Sequence, residues 1–319
     1  MKPTGDIPDD ATLPGLAVIR RRGLARALPA LRLRGPVELL VRGYARGDRI
    51  TLEARCGDLR VSVKACADDP TPEAELYREL ALLGLAPPAM SRAAGVRAPT
   101  LLAWDRNLRV LVTSWLEGPA VNVLIKGGQG ERAGELASRW FRRAASLSAR
   151  QGKDYRPASI LSKAAEWVAA LSGADPELGS EAAALLHDLA RKLPSEESQG
   201  LVHGTLYARH IIDGGSDAGL IDWDGFGHGP PEFDAGTFLA SIWRIGLSSP
   251  AAAAAVTRAE HAFLAGTAGV FDEGALAWYR ATALLRVARR LESRSSDAWK
   301  ERGLQLLTEA GRLAMMAAA

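Results

Sequence analysis

The residue types best suited to chemistry crowd into one stretch, His203-Gly204-Thr205-Leu206-Tyr207-Ala208-Arg209-His210-Ile211-Ile212. Two acidic segments follow it: Leu220-Ile221-Asp222-Trp223-Asp224, then Gly229-Pro230-Pro231-Glu232-Phe233-Asp234-Ala235-Gly236. Ile211-Ile212 and Gly219–Ile221 read as two short strands joined by the polar run 213–217. A hairpin of that kind turns the chain back and sets His203–His210 against Asp222–Asp224. Carboxylates, two imidazoles and the Thr205 hydroxyl would then share one edge, a donor set suited to a metal-phosphate site. Spacing alone is equally compatible with a satisfied polar turn on a core hairpin. The chemistry therefore needs support from elsewhere in the chain.

The elements that must position these residues change character along the sequence. Val37–Arg42, Ile50–Cys56 and Leu59–Cys66 carry strand-like patterns, separated by turn-like Gly43–Asp48 and Gly57-Asp58, and predict an antiparallel meander. In Val61-Ser62-Val63-Lys64 the valines point one way and Ser62 with Lys64 the other. Asp69-Pro70-Thr71-Pro72 opens a helix with Leu76, Leu80 and Leu83 on one face and Gly84 near its end. Two strands follow, Ala98–Trp104 and Leu108–Trp115, around the turn Asp105-Arg106-Asn107. After Gly118 the chain becomes Ala- and Leu-rich, with helices predicted over 131–151, 157–172, 180–193, 250–268, 273–293 and 296–317. Gly127–Gly130 is a linker, a β region occupies Gly200–Trp223, and Gly236 starts a further apolar helix. The expected fold is α+β with two unequal lobes: a small antiparallel-sheet lobe over 1–117 and a mainly helical lobe over 118–319.

The motif stretch resembles the core of the aminoglycoside phosphotransferase and choline kinase superfamily, relatives of protein kinases, over roughly residues 37–300. That family reads His-Gly-Asp, four residues, Asn, then two hydrophobic residues and Asp, and later an Asp-Leu-Ala. His203-Gly204, the strand pair, Asp222-Trp223 and Asp234-Ala235 match in order and spacing. Asp222-Trp223-Asp224-Gly225-Phe226 resembles a subset reading His-Gly-Ser/Thr and Asp-Phe-Asp-Gly-Phe. The resemblance implies a bilobed protein-kinase-like fold. It implies that Lys64 orients the α- and β-phosphates with Glu75 as its partner, Glu79 standing in reserve. It places Gly43 and Gly47 in a loop covering phosphates, and the backbone of Ser114 and Leu116 at the base of a nucleotide. Asp222 would hold the metal, His203 would hold the loop by hydrogen bonds, and Asp234 would brace that loop by accepting backbone N–H bonds.

Two positions depart from the pattern. Thr205 replaces the family's general base, and a threonine does not accept a proton near neutral pH. A positioned base contributes about 10²–10⁴-fold, but phosphoryl transfer depends more on positioning and charge neutralisation. Asp224 could substitute where it faces the acceptor; Asp213 lies too far along its strand. His210 replaces a metal-binding asparagine. It is read first as a hydrogen-bonding residue; as a ligand it would favour Mn²⁺ over Mg²⁺, which prefers oxygen.

The bulk numbers exclude some classes. Lys+Arg 40 against Asp+Glu 37 leaves a net charge of +3, and the longest basic run, Arg20-Arg21-Arg22, is a solvated helix end rather than a nucleic-acid patch. Cys56 and Cys66 form neither a disulfide framework nor a metal spacing. The polar, acidic start lacks a leader pattern and no apolar run spans a membrane, so a cytoplasmic protein without nucleic-acid or membrane partners is expected. The expected activity is an ATP- or GTP-dependent phosphotransferase using Mg²⁺ or Mn²⁺. Its acceptor would be a hydroxyl of an aminoglycoside-like compound, a sugar or another metabolite. The alternatives are an impaired pseudokinase acting as a nucleotide-binding or scaffold protein, and a kinase-like fold with other chemistry such as AMP transfer.

Overall fold

The computed structural model describes residues 7–86, 95–144, 147, 152–195, 200–291 and 298–317. The chain divides into two compact units. The first is Met1–Glu117 with Gly219–Ile221; the second is Gly118–Ala218 with Asp222–Ala319.

The first unit opens with α1 (Pro14–Arg22) and α2 (Leu24–Ala27), which lead into β1 (Glu38–Ala45), β2 (Arg49–Cys56) and β3 (Leu59–Cys66). Then come α3 (Thr71–Leu82), β4 (Val96–Arg97), β5 (Leu101–Asp105) and β6 (Val110–Ser114). The main sheet has the order β1-β2-β3-β6-β5, with every pairing antiparallel. Strand alternation decides its two faces. Ile50, Leu52, Ala54, Val61, Val63, Ala65, Val110 and Val112 are buried in one cluster with Leu13, Leu16, Ile19 and Leu24 of the N-terminal segment. The opposite face carries Thr51, Glu53, Ser62 and Lys64, with Thr51 opposite Lys64 and Glu53 opposite Ser62. The first turn is shorter than predicted. Gly43 lies inside β1, where a bulge shifts the register after Val41, and only residues 46–48 turn the chain.

The second unit is mainly helical. It contains α4 (Val121–Lys126), α5 (Gly130–Ala144), β7 (Lys153–Asp154), α6 (Pro157–Ala174), α7 (Pro176–Arg191), β8 (Gly200–Val202), β9 (Ile211–Asp213) and β11 (Gly227–Gly229), while β10 (Ala218–Leu220) falls mostly in the first unit's segment 219–221. It ends with α8 (Pro231–Ser248), α9 (Ala253–Gly266), α10 (Glu273–Leu291) and α11 (Trp299–Met316). The predicted helix over 131–151 runs partly outside the described residues, as do the edges of the last two. Helix α10 is the axis of this core: Trp278, Tyr279, Leu284 and Leu285 are fully or almost fully buried among residues of α6, α7, α8 and α11. Two helix starts lie upstream of the predicted positions. In both, a proline occupies the first turn, where its fixed φ suits a helix and its missing N–H costs nothing. Helix α7 begins at Pro176, capped by the Asp175 carboxylate on the N–H groups of Glu177 and Leu178. Helix α8 begins at Pro231 instead of Gly236, which draws Glu232 and Asp234 into its buried first turn. Among the described residues no helix is long and apolar enough to cross a membrane.

Candidate active site

In the second unit, β8 delivers the chain into the His203–His210 loop. Gly204 has φ 80°, and a Cβ there would lie 1.9 Å from the Gly225 carbonyl oxygen, so only glycine fits this close approach. The Gly225 carbonyl also accepts a hydrogen bond from the Tyr155 hydroxyl at 2.5 Å. Asp234, 1% exposed, accepts the backbone N–H groups of His203 at 2.6 Å and Gly204 at 3.0 Å. Burial pushes the Asp234 carboxyl up to about 7 against the pull of those two donors. The bracing role expected of Asp234 is therefore visible as geometry.

The His203 ring is fully buried and packs 4.6 Å from Trp223 and 5.6 Å from His210, centroid to centroid. Its Nδ1 lies 3.4 Å from the Thr205 hydroxyl oxygen. His210 Nδ1 lies 2.7 Å from the Thr205 carbonyl oxygen. A carbonyl only accepts, so Nδ1 carries a proton. The other ring nitrogen, Nε2, lies 3.3 Å from Asp222 Oδ2. Burial holds the imidazole down at about 3 despite the Asp222 carboxylate, so the ring is neutral near pH 7. Nε2 then presents a lone pair beside a carboxylate oxygen. Asp222 has φ 70° and ψ 59°, a left-handed conformation unusual outside glycine and found where a site over-determines the backbone.

This pair fits a divalent cation. His210 Nε2 and Asp222 Oδ2 lie 3.3 Å apart, close enough that both could serve as donors to one cation. The set is one nitrogen and one carboxylate oxygen, which suits Mn²⁺ better than Mg²⁺. Among the described residues no group of three or more His, Cys, Asp or Glu could hold a metal, so the remaining ligands would come from phosphate oxygens and water. Asp224 stands half-buried in the same single turn, Trp223–Gly225. Asp213 is committed elsewhere: it takes two hydrogen bonds from Arg132, at 3.1 and 2.7 Å, and one from the Gly215 N–H.

In the first unit, Lys64 Nζ is held by Glu73, at 2.9 and 3.2 Å from its two oxygens. Glu75, the expected partner, is exposed, and Glu79 is half-buried. The buried residues of α3 are Glu73, Ala74, Leu76, Tyr77 and Leu80. Stepping back three residues from Leu76 reaches Glu73, whereas Glu75 falls about 200° around the helix from Glu73. That spacing was the signal that identifies Glu73. The glycine positions also differ from expectation. Gly43 is a strand residue at the bulge, and the Gly47 N–H donates to Asp10 Oδ2 at 2.8 Å. Asp10 also accepts from Tyr44 and Thr12, and the Gly47 bond is the chief reason its carboxyl lies well below its ordinary value. Gly47 therefore has no N–H to offer a phosphate while Asp10 holds it. Ser114 donates its N–H to Thr100, which leaves Leu116 as the unbonded backbone of the expected base-reading pair among the described residues.

One cluster on the Lys64 face escaped sequence reasoning. Glu53 is fully buried and binds Arg42, Arg55 and Arg60, the last two at 2.5 and 2.6 Å. Burial opposes its charge, but hydrogen bonds from Arg60, Arg55 and Arg42 carry its carboxyl down to about 2. Arg60 also lies 4.2 Å over the Trp115 ring and binds Glu117.

A five-stranded antiparallel sheet whose lysine pairs with a glutamate of the next helix, followed by a helical unit with a His-Gly loop and a hairpin aspartate, has the architecture of a kinase-like small-molecule phosphotransferase. A sequence model of the phosphotransferase enzyme family matches residues 54–307, and the chain belongs to that family. No curated protein matches it significantly. Among solved structures it resembles a choline/ethanolamine kinase family protein from Mesorhizobium loti, with 19% identity, 93% of this chain and 94% of that one covered, and a TM-score of 0.59. It also resembles a thermostable aminoglycoside phosphotransferase mutant in complex with ADP and hygromycin B, with 14% identity, coverage of 88% and 95%, and a TM-score of 0.59. An amicoumacin kinase with AMP-PNP and Ca²⁺ shares 13% identity over 85% of this chain and 88% of that one, with a TM-score of 0.56.

Proposed function

We propose that this chain transfers the terminal phosphoryl group of ATP or GTP to a hydroxyl of a small molecule. The observation that carries the reading is the His210 Nε2–Asp222 donor pair beside the Thr205 loop. Lys64, positioned by Glu73, would hold the α- and β-phosphates. Asp222, with His210, would hold the divalent cation, which when bound neutralises charge on the β- and γ-phosphates. His203 and Asp234 fix the loop so that Thr205 faces the acceptor. Thr205 accepts no proton, so transfer would rest on positioning and charge neutralisation, and Asp224 is the carboxylate left to receive the hydroxyl proton. Solved relatives that hold ADP or AMP-PNP support a nucleotide at this fold.

The test is incubation with ATP or GTP, Mg²⁺ or Mn²⁺, and a panel of hydroxyl acceptors, with phosphorylated product read by mass spectrometry. Product that disappears in Asp222→Ala is the expected result. The second reading, a nucleotide-binding pseudokinase, is favoured by Thr205 in the base position. Nucleotide-dependent stabilisation without product from any acceptor would select it, and a product other than ADP would mark different chemistry at the same residues.

A further inference from the structure

Tyr155 touches three segments of the second unit that carry residues of the site, although it belongs to none of them. It follows β7, which lies parallel to β11, and β11 pairs in turn with β8. Strand β8 runs into His203, and β11 comes after the Asp222–Gly225 turn, so this small sheet spaces the loop and the turn at their roots. The Tyr155 N–H extends the pairing by donating to the His228 carbonyl at 3.0 Å. Its side chain is buried, and the ring stacks on Phe233 with centroids 4.3 Å apart. Phe233 directly precedes Asp234, which accepts the His203 and Gly204 N–H groups. The hydroxyl stands where the loop meets the turn. It donates to the Gly225 carbonyl at 2.5 Å, and a Cβ on Gly204 would come 2.5 Å from the hydroxyl oxygen.

The turn that this hydroxyl holds begins at a strained residue. Asp222 has φ 70° and ψ 59°, and a left-handed aspartate persists only where its surroundings impose it. The fully buried Trp223 ring holds the middle of the turn, 5.4 Å from Trp140 and 4.6 Å from His203 between centroids. The Tyr155 hydroxyl holds its end. Without that bond the buried Gly225 carbonyl loses a donor, and the end of the turn can shift about the indole. Burial, with the Asp234 charge adding to it, pushes the Tyr155 hydroxyl well above its ordinary pKa, so it stays protonated and keeps donating through the neutral range.

Resting on the reading that Asp222 and His210 hold a divalent cation for phosphoryl transfer, we infer that Tyr155 is a positioning residue for that cation. Acting through Gly225 and Gly204, its hydroxyl fixes the turn against the loop and so keeps Asp222 Oδ2 at 3.3 Å from His210 Nε2. Hydrogen-bonding groups that orient metal ligands from behind are worth about 10–100-fold in metal affinity. Tyr155 works through backbone rather than on a ligand side chain, so the lower end of that range is expected.

The experiment is a Mn²⁺ titration of the full chain with AMP-PNP present, read by electron paramagnetic resonance. It compares the wild type with Tyr155→Phe and Thr267→Val, each first shown to be folded by a cooperative melt above the assay temperature. Phenylalanine keeps the ring on Phe233 and removes only the hydroxyl. Thr267 is the control for losing a buried hydroxyl: at the end of α9 it donates to the Phe263 carbonyl at 2.8 Å. Tyr155→Phe should bind Mn²⁺ about tenfold more weakly than the wild type, and Thr267→Val should match the wild type. A change below threefold in Tyr155→Phe overturns the inference. So does an equal loss in Thr267→Val, which would mark a general loosening of the fold. A wild type that binds no Mn²⁺ overturns it together with the assignment of Asp222 and His210 as cation donors. Mn²⁺ binding that obeys the substitution, without phosphorylated product from any acceptor in the parallel transfer assay, would sink the phosphotransferase reading and leave the role of Tyr155 standing.

Discussion

Replacing Glu73 separates the two candidate partners of Lys64 most sharply. The Lys64–Glu73 pair is 2.9 Å long, with side-chain exposures of 9% and 8%. At an effective dielectric constant of about 20, two unit charges at that separation attract by about 6 kcal/mol. Desolvation of both groups offsets much of this, and breaking a buried pair by removing one partner costs about 3–5 kcal/mol. The lower end applies here, because Lys64 has other interactions to fall back on. Glu73→Ala should therefore destabilise the chain by about 3 kcal/mol and lower its melting temperature by roughly 6–12 °C. Glu73→Gln keeps the shape and removes the charge; it should weaken ATP binding at least tenfold, about 1.4 kcal/mol, by letting the ammonium wander. Glu75→Ala, at an exposed position, should stay within about 0.5 kcal/mol of the wild type. Scanning fluorimetry with and without ATP reads all three. Equal effects of the 73 and 75 substitutions, or a silent Glu73→Gln in the nucleotide titration, would refute the assignment.

Gly204→Ala should cost about 3 kcal/mol or more, because left-handed strain adds to a clash with the Gly225 carbonyl; urea titration measures it, and a cost below 1 kcal/mol would contradict the geometry. Because the folded-state pKa of His210 is depressed from 6.5 to about 3, the unfolded chain binds the extra proton between those values. Stability should fall as pH drops through that window, by at most about 1.4 kcal/mol per pH unit, and His210→Asn should flatten this slope in acid-titrated melts. The same variant should exchange a Mn²⁺ preference for a Mg²⁺ preference in metal-dependent nucleotide binding; an unchanged ratio would remove His210 from the ligand set. With the metal saturating, Thr205→Asp restores a proton acceptor and should raise the turnover of any detected transfer by about 10²–10⁴-fold, so a slower variant under that condition would mean that Asp224 or solvent already does this work.

Local pattern carried the parts of this molecule that one element builds alone. The alternation in Val61-Ser62-Val63-Lys64 sends Lys64 to the polar face of the sheet, because a strand has no other way to bury both valines. The hairpin 211–220 brings His210 to Asp222 because its turn is short. What stayed hidden depends on register or on remote partners. Glu73 and Glu75 differ only in which side of α3 meets the core, and the leucine pattern extended one step upstream decides between them. Asp10 reaches Gly47 across 37 residues, and Glu53 gathers arginines from three strands. No periodicity announces such meetings.

The two departures from the family pattern belong to one hydrogen-bonded unit. Thr205 lends its carbonyl to His210 Nδ1, and that bond fixes which imidazole nitrogen faces Asp222. An asparagine at 210 could offer an oxygen to a cation without any help from residue 205, whereas a histidine needs its other nitrogen occupied to keep Nε2 unprotonated. The carbonyl would do this with any side chain at 205, so the bond itself leaves room for an aspartate there. A third carboxylate beside Asp222 and Asp224 would, however, raise the imidazole's affinity for a proton and make protons stronger competitors with a metal for Nε2. Threonine at 205 therefore preserves the imidazole as a metal donor while giving up a proton acceptor. On this argument Thr205→Asp and His210→Asn are coupled. The double variant should outperform the product of the two single ones in Mg²⁺, and strict additivity of their logarithmic rate effects would show that the two positions act independently.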